Sequence, residues 1–343
     1  MATPAPAPPA PPSAAAPLTD WVALHGDAFK GRKALVTGGA GFIGSHLAEA
    51  LFRLGAAVVV LDDLTGGAVD NLKHLPAVHF VRGSILDSNL LARCVAGCDV
   101  VFHQAALGSV PASVNHPRRY HEVNAGGTLN VLEAARLAGV RRVMFAASSS
   151  AYGDSEALPK VETMPVWAKS PYAATKAAGE AMLRAWSDSY GLDTVSLRYF
   201  NIFGPRQNAN SAYAAVIAAF AKALLAGTAP VIYGDGEQSR DFTYVDNAVH
   251  ANLLAARAPG RLGGVVLNVA CGARVTVNEL AAEMARRLGR PDLAASHQPD
   301  RAGDVKHSQA DLSAARAALG YEPVVNFQAG LAATVDWYRS AGA

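Results

Sequence analysis

The stretch SPYAATKAAGE, residues 170 to 180, sets Tyr172 and Lys176 four positions apart behind a Ser-Pro start signal. On a helix that spacing brings a phenol and an ammonium out on one face. Alone, such a pair is more often an ordinary solvated surface. A second stretch, AASSSAYGD at 146 to 154, carries Ser148, Ser149 and Ser150 behind an apolar run. Hydroxyl, phenol and ammonium together can take the proton from an alcohol, with the phenol as base. A free phenol titrates near pH 10, too high for a base at neutral pH. Lys176 is therefore expected to stabilise the phenolate of Tyr172 and lower its pKa.

Removing that proton is productive only if something accepts hydride from the carbon, and TGGAGFIGSHLAEAL at 37 to 51 points to the acceptor. Gly38, Gly41 and Gly44 are spaced G-x-x-G-x-x-G between an apolar run and an amphipathic stretch. Missing side chains there let a backbone approach a pyrophosphate and a helix pack tightly on a strand. Asp62 follows eighteen residues after Gly44, at the end of VVVLD. A carboxylate at that place accepts hydrogen bonds from both adenosine ribose hydroxyls and repels a 2′-phosphate, which selects NAD over NADP. The positive nicotinamide then joins Lys176 in favouring the phenolate.

These groups need a scaffold that holds them at one edge. ALVTG (34 to 38), AVVVLD (57 to 62), VHFVRG (78 to 83), VVFHQAA (100 to 106), RVMFAASS (142 to 149) and TVSLRYF (194 to 200) read as strands buried on both faces, the signature of a parallel sheet. Helical patterns at 44 to 55, 117 to 139 and 171 to 190 alternate with them, each ending near glycine. The expected fold is α/β, a doubly wound parallel sheet of Rossmann type with a smaller C-terminal α/β substrate lobe. Residues 1–20 read as a Pro/Ala-rich disordered tail, 21–200 as the NAD-binding domain, and 201–343 mainly as the substrate lobe, with some segments returning to the first domain. Seven of the chain's 19 prolines fall in its first 17 residues, a composition that cannot build a core.

Composition limits the function classes. The chain has 343 residues, 51% of them hydrophobic and 17% charged, enough for two lobes around a substantial core. A formal charge of +2 with scattered Lys and Arg gives no footprint for nucleic acid. No apolar run reaches the roughly 20 residues of a membrane span. Cys94, Cys98 and Cys271 are too few for a disulfide framework and have no partners completing a metal site, so they read as reduced thiols of a cytoplasmic protein.

With these motifs in place the chain resembles an extended short-chain dehydrogenase/reductase, from about Arg32 to Tyr338, through the glycine motif, Tyr-x-x-x-Lys, RYFNIFGPRQ (198 to 207) and GDGEQSRDFTYVDNAV (234 to 249). Within that family it is similar to nucleotide-sugar 4-epimerases. HQAALGSVPAS, SSSAYGD, AYAAVI, RDFTYV and RAGDVKHSQAD narrow the resemblance to bacterial UDP-N-acetylglucosamine 4-epimerases of the polysaccharide-antigen type. The resemblance implies interconversion of UDP-N-acetylglucosamine and UDP-N-acetylgalactosamine through a transient 4-keto sugar, with NAD regenerated each turnover and no metal.

The same resemblance distributes roles along the chain. Ser148, Ser149, Tyr172 and Lys176 would do the chemistry. NAD would be held by Gly38, Gly41, Phe42, Ile43, Gly44, Asp62, Asp63, Ser84, Ile85, Gln104, Ala105, Ala106, Asn124, Tyr172, Lys176 and Tyr199, with Asn124 and Lys176 at the nicotinamide ribose. The UDP-sugar would meet Ser150, Asn201 at a phosphate, Ala215, Val216, Ile217 and Tyr233 at the uridine, Arg240 and Arg301 at the diphosphate, Asp304 at the ribose and Ser308 at the sugar C2 substituent. Ser84 stands where relatives usually place an adenine-contacting Asp. Ser211 and Ala218 replace the Gly and Pro common in the subgroup. A homodimer is expected, the helices at 117 to 139 and 171 to 190 packing on their copies as a four-helix bundle.

Other readings keep the fold and change the reaction. A UDP-glucose or UDP-glucuronate 4-epimerase differs only at the sugar. A nucleotide-sugar 4,6-dehydratase needs an acid and a base after the fifth strand, commonly Asp-Glu, where this chain has Ser149-Ser150. A non-catalytic dinucleotide sensor would have no use for Tyr172, Lys176 and the serine run together.

Overall fold

In the computed structural model, residues 18–208, 215–299 and 306–341 are described. Six strands follow the sheet pattern expected of their apolar runs: β1 (Lys33–Thr37), β2 (Ala57–Asp62), β3 (His79–Arg82), β4 (Val100–His103), β5 (Arg142–Ser148) and β6 (Asp193–Tyr199). A seventh, Val265–Val269, pairs with β6 after the chain has crossed the smaller lobe. All neighbours are parallel, in the order Val265–Val269, β6, β5, β4, β1, β2, β3. The direction of winding reverses at β1, and in open sheets the crevice above such a reversal takes the ligand.

Alternation along β1 sends Ala34 and Val36 into one core, with Leu47 and Leu51 of the helix Phe42–Arg53 and much of the helix Val245–Arg257. Leu35 faces the other core, with Leu91, Val131, Leu132 and Leu183. Both faces of the sheet are thus covered, which is why these strands read as unbroken apolar runs. A third cluster, around Phe203, Phe220, Leu280 and Leu331, fills the smaller lobe.

Several boundaries move from their expected places. Thr19 is buried and donates to the Asp246 carboxylate at 2.6 Å, while the Asp20 side chain caps the helix Trp21–His25. Those two residues belong to the fold and not to a tail; residues 1–17 lie outside the described residues. β4 ends at His103 because residues 104 to 106 turn across the glycine loop. The stretch 117 to 139 is not one helix: Pro117–Tyr120 and Gly127–Leu137 are α-helical, and His121–Gly126 between them is a π-helical turn. Such widened turns recur at functional sites because they redirect a side chain.

The candidate dinucleotide and proton-transfer site

Local sequence fixes the first wall. Gly38 has φ +68°, and a Cβ there would lie 2.7 Å from the Ala105 backbone. Gly44 sits inside the helix Phe42–Arg53, two residues beyond its expected role as the helix start, and a Cβ on it would lie 2.1 Å from the Gly38 carbonyl oxygen. Gly41 is the N-cap residue and supplies no side-chain cap, so N–H groups of the first helical turn remain available for an anion.

Asp62 ends β2 at the rim of the cleft. Its carboxylate accepts from the Ala40 and Leu64 N–H groups at 3.0 and 2.8 Å. Burial nevertheless raises its pKa, the Leu64, Ala40 and Gly41 N–H groups working against that rise. A carboxylate has about four lone-pair sites, so part of that capacity remains for a ribose. A cleft of about 420 Å³ runs from Asp62 and Asp63 past the glycine turn to Tyr172 and Lys176. Ser84, Ile85, Phe42, Ile43, Gln104, Ala105, Ala106 and Tyr199 line it as well. A tight glycine turn, an uncapped helix start and a rim carboxylate fit a dinucleotide.

Asn124 is the one expected cofactor residue that does not line this cleft. It is 3% exposed, and its amide accepts from the Leu107 N–H at 2.8 Å and donates to the Leu107 carbonyl at 3.1 Å and to Thr175 Oγ1 at 3.1 Å. Behind it, Thr37 Oγ1 and Thr128 Oγ1 bracket the buried His103 ring at 2.8 and 2.9 Å. The Thr128 hydroxyl donates to the Asn124 carbonyl. His103 Nε2 is accordingly the protonated nitrogen and Nδ1 accepts from Thr37. Burial holds that imidazole neutral, with its pKa pushed down to about 3.

The reactive end is built by two elements. Ser170 caps the helix Pro171–Tyr190 by accepting from the Ala173 N–H, Pro171 opens it, and Gly191 closes it at φ +74°. The helix comes close to β5 because Gly179 faces Phe145, where a Cβ would lie 2.5 Å from the ring. Ser148 ends β5 beside Tyr172, where its hydroxyl favours the phenolate. Ser149 and Ser150 lie in the 3-10 turn Ser149–Tyr152, and the Ser150 hydroxyl donates to Ser148 Oγ at 2.9 Å.

The expected depression of the Tyr172 pKa is not a property of the chain alone. Burial raises it, and the Ser148 bond opposes the rise. Lys176 explains why. Its ammonium is buried, donates to the Ala146 carbonyl at 2.7 Å and sits 6.0 Å from the Tyr172 ring centroid, and burial pulls its own pKa down to about 7. A half-neutral amine committed to a carbonyl lends little charge to the phenol.

The expected sugar-nucleotide residues lie in the smaller lobe and its junction. Asn201 adopts φ +38° and donates to Ser308 Oγ at 3.2 Å. A non-glycine residue in that region is strained, a condition that persists where surrounding structure enforces it. Arg240 donates to the Ser239 and Lys306 carbonyls, and Tyr233 ends a short strand, Val231–Tyr233. Ala215 and Val216 start the helix Val216–Leu225. Ile217 is 1% exposed, so its side chain belongs to the lobe core, and only its backbone could meet a ligand. Arg301 and Asp304, like Ser211, lie outside the described residues.

Sequence reasoning missed part of the cleft: Thr65, Gly66 and Gly67 after β2, Leu107 and Gly108, and Arg119 and Val123 on the 117 to 126 segment. The Gly66-Gly67 pair was the available signal, since a Cβ on Gly67 would lie 2.7 Å from the Ala40 carbonyl carbon.

Residues 34–270 match the model of the NAD dependent epimerase/dehydratase family. A UDP-glucose 4-epimerase from Mycolicibacterium smegmatis is 41% identical over 313 residues, covering 90% of this chain and 99% of that protein. A UDP-N-acetylglucosamine 4-epimerase from Methanobrevibacter ruminantium, solved with UDP-N-acetylmuramic acid, superposes with a TM-score of 0.87 at 40% identity over 91% of this chain and all of that one. A dTDP-glucose 4,6-dehydratase from Streptomyces venezuelae, solved with NAD, gives a TM-score of 0.83 at 35% identity over 90% of this chain and 97% of that one.

Proposed function

We propose, for a chain that belongs to the NAD dependent epimerase/dehydratase family and takes NAD as its cofactor, that the reaction is 4-epimerisation of UDP-N-acetylglucosamine and UDP-N-acetylgalactosamine. The observation that carries epimerisation over dehydration is the turn after β5. It presents Ser149 and Ser150, and the carboxylates lining the cleft, Asp62 and Asp63, stand at its opposite end. Elimination of water across C5 and C6 needs an acid and a base beside the sugar, and hydroxyls cannot supply both at neutral pH.

When bound, NAD supplies the hydride acceptor and donor for C4 and adds a positive charge beside Tyr172. The chain's own groups manage the proton. Tyr172 takes it from the sugar 4-hydroxyl and returns it once the other face of the transient 4-keto sugar is presented. Ser148, whose hydroxyl already favours the Tyr172 phenolate, steadies the same oxygen. Lys176, with a pKa near 7, can pass a proton at working pH in a way an ordinary lysine cannot. Asn201, Tyr233, Arg240, Arg301 and Asp304 anchor the UDP portion, so that the keto sugar turns without escaping.

Preference for the N-acetylated sugar rests on Ser308, a small side chain against the strained Asn201. A site that admits an acetamido group also admits a hydroxyl, so UDP-glucose is expected as a second substrate. The chain is proposed to act as a homodimer through the helices Gly127–Leu137 and Pro171–Tyr190, where Leu129, Leu137 and Tyr190 stay 40%, 74% and 56% exposed. Light scattering at micromolar concentration checks the dimer, and a strict monomer refutes it.

The test of the reaction is product analysis after incubation with UDP-N-acetylglucosamine, UDP-glucose and UDP-glucuronate in separate reactions. Conversion of the first to its 4-epimer without accumulating NADH is expected. A 6-deoxy-4-keto product from any of them overturns epimerisation in favour of elimination.

A further inference from the structure

Among the described residues, four side chains lining the cleft carry formal charge: Asp62, Asp63, Lys176 and Arg119. Three are committed. Asp62 holds two backbone N–H groups, the Asp63 carboxylate accepts from the Thr65 N–H at 2.8 Å, and Lys176 donates to Ala146. Arg119 is exposed, and among the described residues its guanidinium has no hydrogen-bond, ion-pair or ring partner. An unpartnered cation in a cleft whose near rim is doubly acidic is the group an anionic ligand would find.

Charge identifies which part of the ligand that is, because the phosphates are the anionic part of a dinucleotide. The adenosine end belongs to Asp62 and the reactive end to Tyr172 and Lys176, leaving the phosphates of a dinucleotide in between. On one side of that middle section stand Gly41, Phe42 and Ile43, which offer backbone N–H groups and no cation. The 105 to 108 stretch also lines the cleft, its Ala105 backbone lying against Gly38 and its Leu107 fastened to Asn124. Arg119 and Val123 line the same cleft from the segment that carries Asn124. We propose that Arg119 closes over the pyrophosphate of bound NAD from the segment that carries Asn124, its planar fork pairing phosphate oxygens, and so slows loss of the cofactor between turnovers.

The test is titration of the cofactor-free protein and of Arg119→Ala and Arg119→Lys with NAD, with ADP-ribose and with adenosine, followed by calorimetry, plus the rate at which bound NAD leaves on dilution. Because the Arg119 side chain holds nothing else in the fold, an unchanged unfolding midpoint is expected for both variants. Arg119→Ala should weaken NAD and ADP-ribose about tenfold or more at low salt and speed NAD release to match, leaving adenosine, which lacks the phosphates, untouched. Arg119→Lys should recover part of the loss, since the charge remains and the fork does not. Salt near 0.5 M should narrow the gap between wild type and Arg119→Ala. Equal weakening of adenosine would overturn the proposal by showing a structural effect. Unchanged NAD and ADP-ribose affinities, with a raised KM for the UDP-sugar, would overturn it by placing Arg119 on the substrate.

Discussion

Replacing Asn124 with alanine separates a residue that touches the cofactor from one that shapes its cleft. The side chain makes three hydrogen bonds, two to the main chain of Leu107 and one to Thr175. At a net worth of about 1 kcal/mol each, their loss costs about 3 kcal/mol of stability. The figure stays at that low end because Leu107 is only partly buried, and water can reach its freed backbone groups. Untied, Leu107 and Gly108 must be ordered again whenever NAD binds. Fixing two residues costs at least about 2 kcal/mol, or roughly 30-fold in affinity at about 1.4 kcal/mol per decade. Asn124→Asp is the companion variant: it keeps the acceptor for the Leu107 N–H but sets a carboxylate against the Leu107 carbonyl, so it should be at least as weak as alanine. Calorimetric titration with NAD, beside thermal unfolding of the cofactor-free protein, reads both quantities. A lowered unfolding midpoint with NAD affinity within about threefold of wild type would refute the reasoning, because the wall would then form without Asn124.

Tyr172→Phe keeps the ring and removes the proton acceptor, so turnover should fall by about 10² to 10⁴ with NAD affinity preserved; near-normal turnover would remove Tyr172 from the base role. Ser308→Tyr should cost about 1 to 3 kcal/mol on UDP-N-acetylglucosamine through overpacking and far less on UDP-glucose, and an unchanged ratio of kcat/KM for the two sugars would show that Ser308 does not border C2. Acid should unfold the protein early. His25, His46 and His103 are held neutral by burial with pKa values pushed to about 3, and His250 to about 4. The unfolded chain takes up those protons near pH 6.5 and the folded chain does not, so this stability is full above about 6.5 and is lost as pH falls toward 3. Asp241 and Asp246, raised to about 6, act oppositely, favouring the fold as pH drops from about 6 to 4, and Asp62 and Glu162, also raised by burial, act the same way, but these smaller gains recover only part of what four imidazoles lose. The unfolding midpoint should therefore drop between pH 7 and 5, and a flat profile there would contradict the buried neutral histidines.

What could be read in advance was what neighbouring residues decide among themselves. Ser170, Pro171 and Gly191 bound a helix whichever way the rest of the chain folds, and the helix runs from Pro171 to Tyr190 as its caps require. The glycine turn is equally local, since Gly44 is obligatory because of a carbonyl six residues earlier. Asn124 was legible as a cofactor residue only in kind. Its amide is spent on Leu107 and Thr175, 17 and 51 residues away, and no spacing in the sequence announces either partner. The seventh strand was expected only as a returning segment, because its place is set by β6 and not by its own residues. The charges follow the same division. Tyr172 and Lys176 were recognisable from a four-residue interval, yet burial raises one pKa and lowers the other, and the ammonium donates to the Ala146 carbonyl and sits over the Phe145 ring. A motif therefore names the groups that can react, while the folded surroundings set how far each is from reacting.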